Sequence, residues 1–127
     1  MSFSVFVSHV YEDNAARARL DAWAQAGRLG ADVVITGESE DVRVHGASAI
    51  RAHLNPKVQG ASAVLVLLGD DTHNHAWVEH EVQYARSVRK LVVPVRLPGT
   101  RGAPPHNLRD LPPVTFEPEA IRRALGR

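Results

Sequence analysis

A glutamate flanked by two aromatic residues is the feature of this sequence that most suggests chemistry. Trp77, Glu81 and Tyr84 recur at i, i+4 and i+7, so on a helix they lie along one stripe. Aromatic neighbours remove part of a carboxyl group's solvent, which raises its pKa and suits it to general-base or charge-stabilising work. A glutamate on the solvated rim of the helix, paired with an arginine, fits the same spacing. Periodicity alone therefore leaves both interpretations open.

The elements that must position this glutamate are predicted from the hydrophobic pattern. Val78, Val82 and Ala85 form an apolar stripe beside it, as expected of a helix packed on a core. Residues 63–68 are apolar throughout, which is typical of a central parallel strand covered on both faces. Strands are predicted at residues 3–7, 33–35, 63–68, 91–95 and 114–116, and helices from a cap at Asp13 or Asn14 to a stop at Gly30, from Ala47 to about Asn55, over 77–89 and over 118–125.

This alternation of strands and helices predicts an α/β fold. We expect one flavodoxin-like domain over residues 1–127, with an open parallel sheet of about five strands and helices on both faces. In such sheets, ligands bind outside the carboxyl ends of the strands. Four loops should therefore carry the chemistry: Ser8 to Asn14, Gly37 to Gly46, Gly69 to Ala76, and the segment from Leu97 onward.

Composition narrows the classes of function. The chain of 127 residues has 15 basic and 14 acidic residues, a net charge of +1, so no large field favours nucleic acid or an anionic membrane surface. The absence of cysteine excludes disulfides, thiolate metal sites and cysteine nucleophiles. No apolar run approaches the roughly 20 residues that span a bilayer, and the first residues lack the pattern of a signal peptide. We expect a cytoplasmic protein that binds neither nucleic acid nor membrane.

Three other kinds of site fit the sequence poorly. His73, His75 and His80 lie near Glu79 and Glu81, but their spacing matches no zinc motif on a helix, so no metal is expected. Phosphate-cradling and dinucleotide-binding glycine motifs are also absent.

A phosphoacceptor receiver is the third of these sites. Glu12, Asp13 and Asp70 follow strands, as the carboxylates of a cation-binding receiver do. A receiver has a lysine at the end of its last strand, where this chain has Arg96. The receiver interpretation is therefore disfavoured.

Three segments together resemble a TIR domain. They are Val5-Phe-Val-Ser8-His9 at the first strand, Ile50 and Leu54 ahead of the apolar run that ends in Leu68-Gly69, and Trp77-Val-x-x-Glu81-Val at the start of a helix. The Leu-Gly-Asp-Asp-Thr end of the middle strand and Tyr11-Glu12-Asp13 more narrowly resemble the stand-alone bacterial TIR-like proteins of Thoeris anti-phage systems. The resemblance extends from Phe3 to about Leu108 and implies a TIR-type fold.

The resemblance also implies an activity, cleavage of the nicotinamide-ribose bond of NAD with Glu81 as the catalytic residue. Ser8, His9 and Tyr11 would then line the nicotinamide side of the site, and Trp77 would support the start of the helix. NAD would be the substrate, with no cofactor. Nicotinamide leaves from a cationic ring and needs no general acid, so one carboxylate near the oxocarbenium-like ribose suffices.

The product implied by the resemblance is an ADP-ribose derivative, such as cyclic ADP-ribose, that acts as a nucleotide messenger for a separate effector in antiviral defence. The segment from Glu38 to Gly46 corresponds to the loop that gates the cleft and mediates self-association in TIR domains, and Asp41 within it is a candidate substrate-binding residue. This loop lacks the Arg-Asp-x-x-Pro-Gly type of signature.

A non-catalytic TIR-like assembly module is the alternative. Glu81 in an open cleft beside Ser8 and His9 would favour the enzyme, and Glu81 in a surface salt bridge would favour the module.

Overall fold

A computed structural model describes residues 3–8, 14–36, 58–70, 76–104 and 106–127, with the backbone alone at Asn14, Ala76, Trp77 and His106. The elements are strands β1 (Phe3–Ser8), β2 (Val33–Thr36), β3 (Ala63–Leu68), β4 (Leu91–Arg96) and β5 (Val114–Thr115), helices α1 (Asn14–Gln25), α2 (Ala76–Ser87) and α3 (Pro118–Ala124), and a 3-10 helix (His106–Leu108). The predicted helix from Ala47 to Asn55 and the loop from Glu38 to Gly46 lie outside the described residues.

The five strands form one open sheet in the order β2-β1-β3-β4-β5, and each neighbouring pair is parallel. The predicted α/β fold, with a parallel sheet of about five strands and helices on both faces, is confirmed. From β1 the chain first adds β2 on one side, and the later strands β3, β4 and β5 then follow on the other side. The carboxyl ends of β1 and β3 therefore meet at the point where such sheets commonly bind ligands.

The central strand β3 divides its side chains between two cores. Ala63, Leu65 and Leu67 pack with residues of α1 and α3, while Val64 and Val66 pack with residues of α2. All six β3 residues are buried, as the apolar run predicted. Because side chains alternate along a strand, each residue's position in β1 or β3 determines which helix it faces.

The first helix ends earlier than the sequence suggested. We predicted a stop at Gly30, but α1 ends at Gln25, and Gly27 holds the left-handed conformation with φ of 75°. The Gly27 N–H donates to the Ala24 carbonyl at 3.0 Å, and the Arg28 N–H donates to the Trp23 carbonyl at 2.9 Å. This pair of bonds is a Schellman cap, which satisfies the last carbonyls of the helix.

Helix α2 ends in the same way, but without glycine. The Arg89 N–H donates to the Arg86 carbonyl and the Lys90 N–H to the Ala85 carbonyl, at 3.1 and 2.9 Å. Arg89 has φ of 61°, a left-handed conformation that crowds the Cβ of an ordinary residue.

None of the helices in the part of the chain described above is long and apolar enough to cross a membrane.

We predict that Arg89→Gly stabilises the protein by about 1 kcal/mol, because glycine adopts the left-handed cap without strain. Thermal unfolding should shift upward by roughly 3 °C. The matched control is Lys90→Gly, one residue further on, where the backbone is not left-handed and glycine brings no gain. A melting temperature of Arg89→Gly at or below that of the parent protein would contradict the assignment of strain to this cap.

Candidate active site

Ser8 and Glu81 meet in the interior between the sheet and α2. The Ser8 hydroxyl donates a hydrogen bond of 2.7 Å to Glu81 Oε1, although the two residues are 73 positions apart. Ser8 is 1% exposed and Glu81 is 3% exposed. These are the two predicted site residues that the described structure brings into contact.

The strand register explains how Ser8 reaches α2. Ser8 is the last residue of β1 and alternates with Phe6, whose side chain packs in the core on the α2 side. Ser8 pairs with Val66 in the neighbouring strand, and Val66 belongs to that same core. A serine hydroxyl at this position therefore projects toward α2 at the carboxyl end of the strand.

The apolar stripe of α2 explains how Glu81 reaches Ser8. Val78, Val82 and Ala85 are fully buried, as predicted. Glu81 lies beside Val82 and one turn after Val78, so it falls on the buried flank of the helix. The alternative of a solvated glutamate paired with an arginine is wrong, because Glu81 is buried and makes no ion pair within the described residues.

Of the two aromatic neighbours, the side chain of Tyr84 is described. Tyr84 is half-buried, and its hydroxyl donates to Gln59 Oε1 at 3.1 Å. Its ring is stacked with that of His80, with centroids 6.5 Å apart. Trp77 lies one turn before Glu81 in α2, and its side chain is not among those that the structure describes. The described contact of the Glu81 carboxyl is with Ser8 at the end of β1.

Burial dominates the proton affinity of this carboxyl group. Loss of solvent raises the pKa of Glu81 to about 8, and the hydrogen bond from Ser8 acts in the opposite direction by stabilising the carboxylate. Most of the Glu81 side chains are therefore protonated at neutral pH. A glutamate with this proton affinity can gain or lose a proton near pH 7, which is the property required of a general acid or base.

A brace from the segment after β4 supports the connection between β3 and α2. The Thr100 hydroxyl donates to the Leu68 carbonyl at 3.1 Å, and Asp70 Oδ1 accepts from the Arg101 N–H at 2.8 Å. Gly102 lies against this connection so closely that an added Cβ would be 2.4 Å from the Asp70 carbonyl oxygen. This brace was not predicted, although both segments were expected at the ligand-binding edge of the sheet.

The remaining predicted residues are not tested by this geometry. His9, Tyr11 and Asp41 lie outside the described residues, as do His73 and His75 of the metal alternative. Within the described part of the chain, no group of three histidine, aspartate or glutamate side chains could hold a metal ion.

The sheet and its flanking helices define the fold of a TIR domain, which solved structures share. One match is the structure of the activated Roq1 resistosome directly recognizing the pathogen effector XopQ, in its TIR domains. The TM-score is 0.54 at 18% sequence identity, over 75% of this chain and 57% of that one. This chain thus spans little more than half the length of that relative, and the likeness establishes the fold.

The sequence identifies the family within this class. The chain belongs to the family described as Thoeris protein ThsB, TIR-like domain, whose model matches residues 6–102. Both Ser8 and Glu81 lie within the matched range. The resemblance predicted from the sequence is confirmed at the level of the family. Among curated proteins, no relative matches the chain.

We predict that Glu81 makes the stability of the protein depend on pH. Between the unfolded pKa of 4.5 and the folded pKa of about 8, the native state holds a proton that the unfolded state has lost. The free energy of unfolding should therefore fall as pH rises from 5 to 8, on the order of 1 kcal/mol per pH unit from this group, and level off above pH 8.

The control for this measurement is Glu81→Gln, which keeps the hydrogen-bond acceptor for Ser8 and removes the titration. Urea unfolding of both proteins across this pH range isolates the glutamate from the seven histidines, which titrate in both. Parallel pH profiles of the two proteins would show that Glu81 does not carry a raised pKa.

Proposed function

We propose that the protein cleaves the nicotinamide-ribose bond of NAD, with Glu81 as the catalytic residue, and releases an ADP-ribose derivative. The observation that supports this most strongly is the buried Ser8–Glu81 pair at the carboxyl edge of the sheet, in a member of a TIR family. This carboxyl group is removed from water, held by one hydroxyl and free of ion pairs in the described structure, so no cation among the described residues already neutralises it.

The proposed reaction requires few groups. The bond between ribose C1′ and the nicotinamide nitrogen breaks, and its electron pair returns to the ring, which leaves as neutral nicotinamide. The ribose becomes oxocarbenium-like, and the Glu81 carboxylate stabilises that positive charge or accepts a hydrogen bond from a ribose hydroxyl. Water then adds to C1′ and loses a proton, giving ADP-ribose. Attack by a different nucleophile gives the cyclised or transferred product.

The protonation state of Glu81 links substrate binding to this step. The free protein holds Glu81 largely neutral at pH 7, because burial raises its pKa to about 8. A cationic nicotinamide ring beside the carboxyl group favours the ionised form, so NAD binding should release the proton. The Ser8 hydroxyl remains as a donor to the carboxylate and keeps it oriented.

The burial of Glu81 has a consequence for access. At 3% exposure, its carboxyl contacts a substrate only after the groups that cover it have moved. We propose that the arrangement described above is a resting form and that activation opens the site. The same burial is the observation that favours the alternative, a TIR-like assembly module in which the Ser8–Glu81 pair is structural.

The biological role follows from the family and the proposed product. We propose a cytoplasmic enzyme of anti-phage defence whose ADP-ribose-derived product acts as a messenger, in the manner of cyclic ADP-ribose, for a separate effector protein. Self-association is a proposed route to activation.

We predict that purified protein, alone or with lysate from phage-infected cells, releases nicotinamide from NAD, and that Glu81→Gln lowers the rate by at least about 100-fold. Chromatography with mass detection names the product. The matched control is Glu79→Gln, the same chemical change on an exposed residue of the same helix, which should leave the rate unchanged.

Three results separate the candidate functions. Loss of turnover in Glu81→Gln with the folded state intact supports the enzyme. Full turnover in Glu81→Gln removes Glu81 from the reaction. No turnover by the parent protein under either condition favours the assembly module.

We predict that the kcat/KM of the parent protein rises with pH, reaches half of its maximum near pH 8 and levels off above that, because the ionised carboxylate is the active form.

A further inference from the structure

A cavity opens at the carboxyl ends of β4 and β5, apart from the buried Ser8–Glu81 pair. Its volume is about 540 Å³, within the range of roughly 300–1,000 Å³ that small-molecule sites occupy. The last residue of β4, Arg96, lines it together with Thr100, Thr115 and Glu117, and apolar residues complete the wall. Neither Ser8 nor Glu81 contributes to it.

Arg96 is the unusual member of this lining. Its Nη1 atom is buried and has no hydrogen-bond partner, and within the described residues Arg96 makes no ion pair. Among the described residues, two other buried side-chain atoms lack a hydrogen-bond partner, and they belong to Arg17 and Asn107. Those side chains are anchored through another atom, since Arg17 Nε donates to Asp21 and Asn107 Nδ2 donates to the Glu79 carbonyl. Arg96 has no such anchor among the described residues.

An unpaired, partly buried guanidinium is costly unless an anion reaches it. Removing a charge from water without a partner is unfavourable, and the planar guanidinium fork matches the oxygen atoms of a phosphate. A free phosphate would fill only a small part of this cavity, whereas a nucleotide fills a space of this size. The position also fits, because parallel sheets bind ligands at the carboxyl ends of their strands.

We propose that this cavity binds a nucleotide through a phosphate group held by Arg96. The ligand can come from two sources. Arg96 is in register with Leu68, whose side chain packs on the α2 side of the sheet, so Arg96 lies on the same side as Ser8. Two strand spacings separate β1 from β4, about 10 Å. The phosphate can therefore belong to an NAD molecule that extends from Glu81 or to a separate nucleotide.

Glu117 supplies an internal control of opposite charge. Its exposed side chain lines the same cavity and would repel a phosphate. Arg96→Gln and Glu117→Gln are therefore changes of similar kind with opposite expected effects on the same ligand. A purely structural role of either residue predicts no such opposition.

The experiment is calorimetric titration of the full chain with ADP, which lacks the nicotinamide ribose and needs no turnover. Arg96→Gln should weaken ADP binding at least about tenfold, because the charge-assisted fork is lost, and Arg96→Lys should show an intermediate loss. Glu117→Gln should strengthen binding about twofold. Without ligand, Arg96→Gln should melt no lower than the parent protein, since it removes an unpaired charge.

Repeating the titration on NAD-saturated Glu81→Gln protein distinguishes the two sources. ADP that binds one further equivalent identifies a separate nucleotide site, and ADP displaced by NAD identifies one continuous site. If the parent protein does not bind ADP, or if its affinity is equal in the Arg96 variants, the proposal is overturned. Should Arg96→Gln fail to fold, Arg96→Lys and Glu117→Gln carry the same test. Failure of NAD cleavage leaves these binding results unaffected.

Discussion

The hydrogen bond between the Ser8 hydroxyl and the Glu81 carboxyl is the interaction on which the candidate site depends. It joins the end of β1 to the middle of α2 inside the protein, where solvent is excluded from both groups. A carboxyl group buried in this way must either keep its proton or, as a carboxylate, accept strong hydrogen bonds. One hydroxyl partially offsets the cost of burial, so the carboxyl keeps a pKa of about 8. The site thus has a titratable group near neutral pH.

The rest of the fold maintains this contact. The parallel register of β1 with β3 sets Ser8 on the α2 side, and the three buried residues Val78, Val82 and Ala85 hold α2 against that side. The close approach of Gly102 to the Asp70 backbone restrains the connection that leads into α2. None of these groups has chemistry to perform, yet each determines where the carboxyl lies relative to the hydroxyl.

The sequence predicted the sheet and named Ser8 and Glu81 as site residues, but it did not predict the burial of Glu81 or its direct contact with Ser8. The apolar runs located the strands, because a buried parallel strand needs apolar side chains on both faces, as residues 63–68 show. The burial of Glu81 was ambiguous, since a helical period places it at the border of the apolar stripe and only the packing of α2 decides its side. The contact with Ser8 depends on strand register across 73 residues, which no local pattern contains.

Two other features escaped prediction for related reasons. Gly27 and Gly30 both have positive φ, and the backbone hydrogen bonds that end the helix form around Gly27. Arg96 was noted only as the wrong residue for a receiver. Its lack of a partner among the described residues and its place in a cavity follow from the tertiary structure.

NMR titration of protein labelled with carbon-13 at the glutamate carboxyls measures the raised pKa of Glu81 and the effect of Ser8 on it. We expect one signal that titrates near pH 8, is missing from Glu81→Gln, and moves to a higher midpoint in Ser8→Ala, where the stabilising donor is gone. If instead every glutamate titrates near pH 4.5, Glu81 is solvated and ionised in solution, and burial does not control its proton affinity.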